Sequence, residues 1–195
     1  MSTIRISGPS PIVLPSELSG TYPDDDVAAL AAIAAAQGRI DGPTGWVGRS
    51  FGVQVLDTLV TLQPGRWYRL PYPPVIEIVS VTGADGAEVS FEADPVELDR
   101  IKISGPSGQV RVRYRAGYEL DEETDEGTGV VPAQVKQAVI VGAGRILAFD
   151  PQSVGLRSES VEGIGTDAYA APDATEAAVD LVMSRLLSGL KVITP

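Results

Sequence analysis

Residues 108–118, with the sequence GQVRVRYRAGY, contain the clearest strand pattern of the chain. Side chains of a strand point alternately to its two faces, so Val110, Val112 and Tyr114 share one face. The arginines share the opposite face and form the one concentrated basic stripe of the sequence. This stripe consists of Arg111, Arg113 and Arg115. Two interpretations are open: a docking surface for phosphate or an acidic neighbour, or a solvated sheet face paired with local carboxylates.

Several segments before this strand alternate between apolar and polar residues or are rich in β-branched residues. Segment 51–62 alternates with an interruption near Asp57, where we expect a bulge. Segment 75–82 has the β-branched content of a buried strand. An Asp-Gly turn at 85–86 and the glycines of 105–108 each predict a hairpin. The predicted strands are residues 51–62, 75–82, 88–91, 100–103 and 109–115.

Three segments have the apolar spacing of three or four residues that an amphipathic helix requires. The first follows the three aspartates 24–26, which suit the positive end of a helix dipole. The second begins at Pro132 and ends before Pro151, and the third begins at Pro172. The positions expected to face the core are Val27, Leu30, Ile33, Ala34 and Ile40 in the first helix, Val135, Val139, Ile146 and Phe149 in the second, and Ala177, Leu181, Met183 or Ser184, and Leu187 in the third.

This order of elements predicts an α+β fold, in which a small antiparallel sheet packs with about three helices. The prolines and glycines of residues 1–22 predict an extended N-terminal arm. Residues 23–150 are then the body, with a helix, strands and a helix. Residues 151–195 form a C-terminal arm followed by a helix.

The chain has no histidine and no cysteine, so it lacks the usual general base near neutral pH and the usual zinc ligands. The aspartates 24–26 lack the spacing of a calcium-binding loop, so a helix start is favoured over a metal site. The small residues 142–144 have no strand before them, and Leu147 stands where a dinucleotide-binding motif would have its third glycine. They are better explained by the close approach of another helix or subunit.

The formal net charge of −11 disfavours DNA binding through an overall basic surface. Residues 119–126 carry a dense acidic run, for which two interpretations are open. The run is either an outward solvated loop or part of a channel wall past which DNA slides, because like charges prevent adhesion. The channel candidates in this run are Glu119, Asp121, Glu122 and Glu123.

Residues 152–171 are too polar and too often interrupted by glycine to form a core of their own, although 158–169 retain some strand-like alternation. We expect this segment to order on a partner, to which it would add a strand or clamp. The candidate partner-binding residues are Ser158, Glu159, Ser160, Val161, Ile164 and Tyr169.

Several short motifs follow one another in a consistent order over residues 24–150. They are Ile40-Asp41, Gly45-Trp46-Val47-Gly48-Arg49, Gln54, Leu70-Pro71-Tyr72-Pro73-Pro74-Val75, Ser80-Val81, Asp85-Gly86, Tyr114, Ala116-Gly117-Tyr118, Val131-Pro132 and Lys136-Gln137-Ala138. In this order and spacing the chain resembles the head-to-tail connector family of tailed phages and gene transfer agents, also called adaptor or head-completion proteins.

The resemblance implies a structural subunit of the virion neck that has no cofactor and no enzymatic activity. Such a subunit forms a ring, typically of twelve copies, that binds the portal, bridges it to a stopper or tail protein, and lines the channel through which double-stranded DNA passes. Its extended arms would reach neighbouring rings.

Residues 1–20 lack the apolar core of a signal peptide, and no run approaches the roughly 20 apolar residues that cross a bilayer. We therefore expect no membrane contact, and assembly in the cytoplasm of the producing cell.

Two alternatives remain at this stage. A stopper, tail terminator or other neck protein would share the ring-forming character. A carboxylate-based enzyme, such as a glycoside hydrolase, would need an opposed pair of buried acids. The candidate acids cluster around Pro95, and the sequence does not indicate burial for any pair. They are Glu92, Asp94, Glu97 and Asp99.

Overall fold

The computed structural model describes residues 2–63, 65–104, 108–120, 127–149, 158–161, 165–168 and 172–192. For residues 158–161, 165–168 and 172–176 it describes only the backbone. The strands are β1 (Ser2–Arg5), β2 (Gln54–Leu62), β3 (Trp67–Arg69), β4 (Val75–Gly83), β5 (Phe91–Ala93), β6 (Arg100–Ile103), β7 (Gly108–Ala116), β8 (Ser158–Val161) and β9 (Gly165–Ala168). The helices are α1 (Val27–Gly38), α2 (Ala133–Leu147) and α3 (Pro172–Leu187). Three helices and antiparallel strands confirm the predicted α+β class.

Strand β7 lies inside a four-stranded antiparallel sheet with the order β1-β2-β7-β4. Its Val112 pairs with Thr58 of β2 on one side and with Val81 of β4 on the other. Val110, Val112 and Tyr114 are all buried. The alternation of this strand therefore predicted its buried face correctly.

The irregularities of this sheet lie in β4 rather than in β2. Strand β2 pairs with β7 without a register shift from Gln54 to Leu62, so the bulge expected near Asp57 is wrong. Asp57 interrupts the apolar pattern because it forms an ion pair with Arg113 of the neighbouring strand. Strand β4 shifts register twice against β7, and its Val79 is 51% exposed. The expectation of a buried strand is also wrong, because β4 is an edge strand.

Strand β6 is the middle strand of a second antiparallel sheet with the order β3-β6-β5. The hairpin expected between β6 and β7 is therefore wrong, because the two strands belong to different sheets. Ile101 and Ile103 of β6 share one buried cluster with Leu56 of β2 and Val112 of β7. The two sheets thus pack with their apolar faces together, and the strand core lies between them.

The helices share a separate core, in which α2 packs against both α1 and α3. At Gly142 of α2, an added Cβ atom would lie 3.0 Å from Ala36 of α1 and 3.6 Å from Met183 of α3. A larger side chain would push the helices apart. The interpretation of this glycine as a point of close helix approach is confirmed.

Helix α1 begins where the aspartates predicted, because the Asp26 carboxylate accepts a hydrogen bond from the backbone N–H of Ala29 at 2.8 Å and caps the helix. The predicted core faces are wrong at several positions. The residues expected in the core but exposed to solvent are Val27, Leu30, Ala34, Ile146, Phe149, Ala177 and Leu181. In α1 the alanines Ala29, Ala32 and Ala36 are buried instead. A helix that is apolar all round does not show its buried face in its sequence.

The predicted N-terminal arm is extended near its start, but it packs on its own body. Residues 2–5 form strand β1 at the edge of the first sheet. Further along, Ile12, Val13 and Leu18 are buried in the helical core. In the single chain these residues pack on their own body. That the arm reaches a neighbouring ring stays a prediction.

Candidate partner-binding surfaces

A buried carboxylate holds the junction between the helical core and the first sheet. Asp41 follows α1, and no part of it is exposed to solvent. Its Oδ1 accepts hydrogen bonds from the backbone N–H of Phe51 at 2.8 Å and from Nε2 of Gln54 at 2.7 Å. Its Oδ2 accepts from Nε2 of Gln37 at 2.8 Å and from the backbone N–H of Gly52 at 2.9 Å. These donors replace the water that a buried charge loses.

The same network reaches the N-terminal segment. Arg5 of β1 donates through Nε to Gln54 at 2.8 Å and through Nη2 to the Asp41 carbonyl at 2.7 Å. Gln37 donates to the carbonyl of Ser10 at 2.9 Å and accepts from the backbone of Ile12 at 3.3 Å. The motif residues Asp41 and Gln54, which carried part of the family resemblance, therefore join three segments of one chain and have a structural role.

The proline-rich corner at 70–74 is held by a buried tyrosine. The hydroxyl of Tyr114 donates to the carbonyl of Pro71 at 2.7 Å and lies 3.3 Å from the hydroxyl of Thr58. Burial raises the pKa of Tyr114 well above its ordinary value, so the hydroxyl stays protonated as a donor. Tyr72 within the corner has a φ of 58°, a left-handed conformation that L residues seldom adopt.

The predicted arginine stripe lies on the outer face of the first sheet. Arg113 forms a two-point ion pair with Asp57, at 2.8 Å from Nε and 3.0 Å from Nη2. Arg115 pairs with Glu77 at 2.8 Å and with Glu119 at 2.9 Å. Hydrogen bonds to Asp57 raise the pKa of Arg113, and those to Glu77 raise that of Arg115. Local carboxylates thus compensate two of the three arginines.

Arg111 differs from the other two. It is exposed, and within the part of the chain that the structure describes it forms no ion pair. It pairs across the sheet with Leu59 of β2, which is 39% exposed, and with Thr82 of β4. Ile4 of β1, opposite Asp57, is 57% exposed. An exposed cation beside a partly exposed leucine makes this face, which we call the outer sheet face, a candidate docking surface.

A second surface was missed by the sequence analysis. A groove of about 1260 Å³ runs past the proline-rich corner. Its lining includes Trp67, Tyr68, Tyr72, Arg49 and Arg69. The dense prolines and aromatics of 67–74 were the available signal, but they had been interpreted as a rigid corner only.

The acidic candidates are only partly described. Glu119 is exposed and anchored by Arg115, and its backbone accepts from Thr128 at 2.9 Å. Asp121, Glu122 and Glu123 lie outside the described residues, so their predicted place in a channel remains a prediction.

The four acids considered for an enzyme each form ion pairs. Glu92 pairs with Lys102, Asp94 and Glu97 pair with Arg100, and Glu97 and Asp99 pair with Arg69. Backbone N–H donors lower the pKa of Asp94, whereas partial burial raises that of Asp99. These acids connect the strands and loops of the second sheet. Among the described residues, no three acidic side chains come together as a metal site.

The predicted partner-binding segment contains a small hairpin. Strands β8 and β9 pair antiparallel, with Ser158 opposite Ala168 and Val161 opposite Gly165. They form a two-stranded sheet by themselves, separate from the other two sheets. Ile164 and Tyr169 lie outside the described residues. The binding role of this segment stays a prediction.

No family model matches the sequence, and no curated protein matches it. Seven chains of solved structures match. One of them belongs to the virion of a native gene transfer agent (GTA) particle, with a TM-score of 0.58 and 19% sequence identity. The alignment covers 100% of this chain and 97% of that chain. At this identity the likeness shows a shared fold, which extends over nearly the full length of both chains. Within the described ranges, no helix is both long and apolar enough to cross a bilayer.

Proposed function

We propose that this protein is a non-enzymatic structural subunit of the neck of a phage-like particle, where a ring of about twelve copies connects the portal to the stopper or tail. One observation carries the proposal: its whole length has the fold of a chain found in a GTA virion. The alignment also covers the C-terminal third of the sequence, where the motifs of the connector family are weakest. A single module inserted in an unrelated protein would instead match over part of its length.

The internal construction of the chain supports a role in assembly. Several of the motif residues serve buried contacts, as Asp41 and Gln54 do in their hydrogen-bond network. The outer sheet face and the groove beside the proline-rich corner are two surfaces that are open to partners. A ring subunit needs at least two such surfaces, because it contacts its neighbours and a partner ring at the same time.

The hairpin of β8 and β9 is the proposed portal clamp. Each of its strands has one partner in the structure, so each has one edge on which a strand of another protein can pair. We propose that this edge, with Ser158, Glu159, Ser160 and Val161 on β8, orders on the portal or an adjacent subunit.

The clamp is tested by replacing residues 158–168 with a Gly-Ser linker of the same length. The variant should keep the circular dichroism spectrum and melting temperature of the body, because β8 and β9 pair with each other and with no other described strand. It should lose co-sedimentation with the portal. Undiminished co-sedimentation would contradict the clamp.

The acidic run at 119–126 is proposed to face the DNA channel. Neutralising Glu119, Asp121, Glu122 and Glu123 to amides should slow DNA packaging or ejection, because the wall would then repel DNA less. Unchanged packaging and ejection would favour an outward solvated loop.

The adaptor role is tested by electron microscopy of particles made without this protein. We expect filled or partly emptied heads and free tails in separate populations, since the connection between portal and tail is missing. Normal tailed particles would contradict the proposal. Tails of irregular length, or heads that carry the portal and an adaptor ring but leak DNA, would instead assign a tail terminator or a stopper.

A further inference from the structure

The exposed charges of the described chain are unevenly compensated. Seven arginines and lysines of the described residues form ion pairs with carboxylates, whereas Arg111 on the outer sheet face forms none among these residues. At the start of α1, Asp25 is likewise exposed and without an ion pair among the described residues. One face thus carries an uncompensated cation and a distant helix end carries an uncompensated anion.

Both places also expose apolar side chains. Val27, directly after the aspartates, is 80% exposed, and Leu14, which precedes the adjacent 3₁₀ turn Pro15–Glu17, is exposed too. That turn is tied to the helix start because the Ser16 backbone donates to Asp24 at 3.1 Å. The acidic helix end presents an apolar side chain beside a negative charge, and the outer sheet face presents an apolar side chain beside a positive charge. The two surfaces are therefore complementary.

The two surfaces belong to different parts of the fold. Leu59 and Arg111 lie on the sheet, and Val27 begins a helix whose buried residues belong to the helical core. A contact between two different surfaces of the same protein, repeated from copy to copy, is a heterologous contact, which closes into a ring when the rotation allows it.

We propose that the outer sheet face binds the acidic start of α1 from a second copy of this chain. Arg111 then faces Asp25 of the next copy, and Leu59 packs against its Val27. Other apolar surfaces fit less well: Val96 is 87% exposed, but the carboxylates beside it are already paired with Arg69 and Arg100. The inference rests on the proposed ring and names the surfaces that form it.

The absence of cysteine allows a direct test. A tagged V27C chain is mixed with an untagged L59C chain and oxidised at several protein concentrations, so that any mixed disulfide is intermolecular. We expect the mixed dimer to exceed the background given by V27C with V96C by about tenfold. The double variant V27C/L59C should give a ladder of multimers, because each copy has both halves of the contact.

The charge pair is tested in the same assay. R111E should lower the yield of the mixed dimer about tenfold, since like charges then face each other, and R111E combined with D25K in the partner should restore it. Circular dichroism of each variant checks that it is folded.

Mixed crosslinking no greater than that of the V96C control would overturn the inference. So would dominant L59C–L59C dimers, which indicate a face-to-face contact, or crosslinking of L59C only to another virion protein. If the crosslinking fails but particles made without the protein show separated heads and tails, the adaptor role stands and only the self-contact is rejected. If V27C/L59C gives a clear ladder of multimers but particles made without the protein have normal tails, the adaptor role is overturned and the self-contact stands.

Discussion

At the scale of single residues, Asp41 connects the end of α1 to the start of the first sheet. Its carboxylate accepts four hydrogen bonds from Gln37, Phe51, Gly52 and Gln54 in a fully buried place. A carboxylate has only acceptors, so no other side chain of this size satisfies four donors at once. The residue therefore fixes the direction in which the chain leaves α1 and enters β2.

We expect D41N to lower the free energy of unfolding by about 3 kcal/mol, because the new amide N–H₂ would face buried donors and leave them unsatisfied. Urea unfolding measures this change. The matched control D25N, at an exposed aspartate, should leave the unfolding midpoint unchanged. Equal stability of D41N and the wild type would show that the network is not needed.

Glu17 gives a prediction for the pH dependence of stability. The backbone N–H of Leu14 and the ammonium of Lys136 lower its pKa from 4.5. A carboxylate with a lowered folded-state pKa stabilises the fold above its unfolded-state pKa, and this contribution disappears as the pH falls through the folded-state value. E17Q should therefore melt below the wild type at pH 7, and the difference should shrink as the pH falls below 4.5. A difference that does not depend on pH would contradict this account.

At the scale of elements, the packing of α2 on α1 and α3 depends on one small residue. A Cβ atom on Gly142 would meet both neighbouring helices, whereas a Cβ atom on Gly144, two residues later, would meet nothing within 4 Å. The two glycines look alike in the sequence, but only the first one lies at a contact between helices.

The pair gives opposite predictions in thermal or chemical unfolding. G142L should destabilise the protein by about 2 kcal/mol, because the larger side chain separates the helices. G144A should stabilise it by about 0.5 to 1 kcal/mol, because alanine loses less backbone entropy in a helix. Destabilisation by G144A as large as that by G142L would mean that both glycines face a neighbour.

The sequence predicts some elements better than others for physical reasons. The alternation of β7 gives its two faces directly, because only one face of that strand is buried. The phase of α1 does not follow from its sequence, because alanine and larger apolar residues surround the whole helix. The pairing of β6 with β3 and β5 depends on contacts between distant segments, which a local Gly-rich turn does not reveal.

The candidate surfaces also divide into features that depend on local sequence and features that depend on contacts between distant segments. The arginine stripe was predictable, because it depends on strand periodicity alone. Its ion pairs with Asp57 and Glu77 were not, since they depend on the order of strands in the sheet. The groove beside the proline-rich corner combines residues from the second sheet, the corner and the segment after α3, which come together only in the folded chain.

At the scale of the whole molecule, two cores are joined through the Asp41 network. The N-terminal segment forms the edge strand of the first sheet and then packs into the helical core. The hairpin of β8 and β9 pairs only with itself among the described strands. A body with this construction presents fixed surfaces to its neighbours, and a short hairpin can order on a partner without disturbing either core. The proposed ring and the proposed portal clamp thus use different parts of one chain.

The position of this protein in a particle is the central claim, and a cryo-electron microscopy reconstruction of the purified particle's neck tests it most directly. We predict a ring of density between portal and tail into which this fold fits, with the outer sheet face of each copy against the acidic start of α1 in the next. A complete reconstruction of the neck in which no density between portal and tail accommodates the fold would contradict the account.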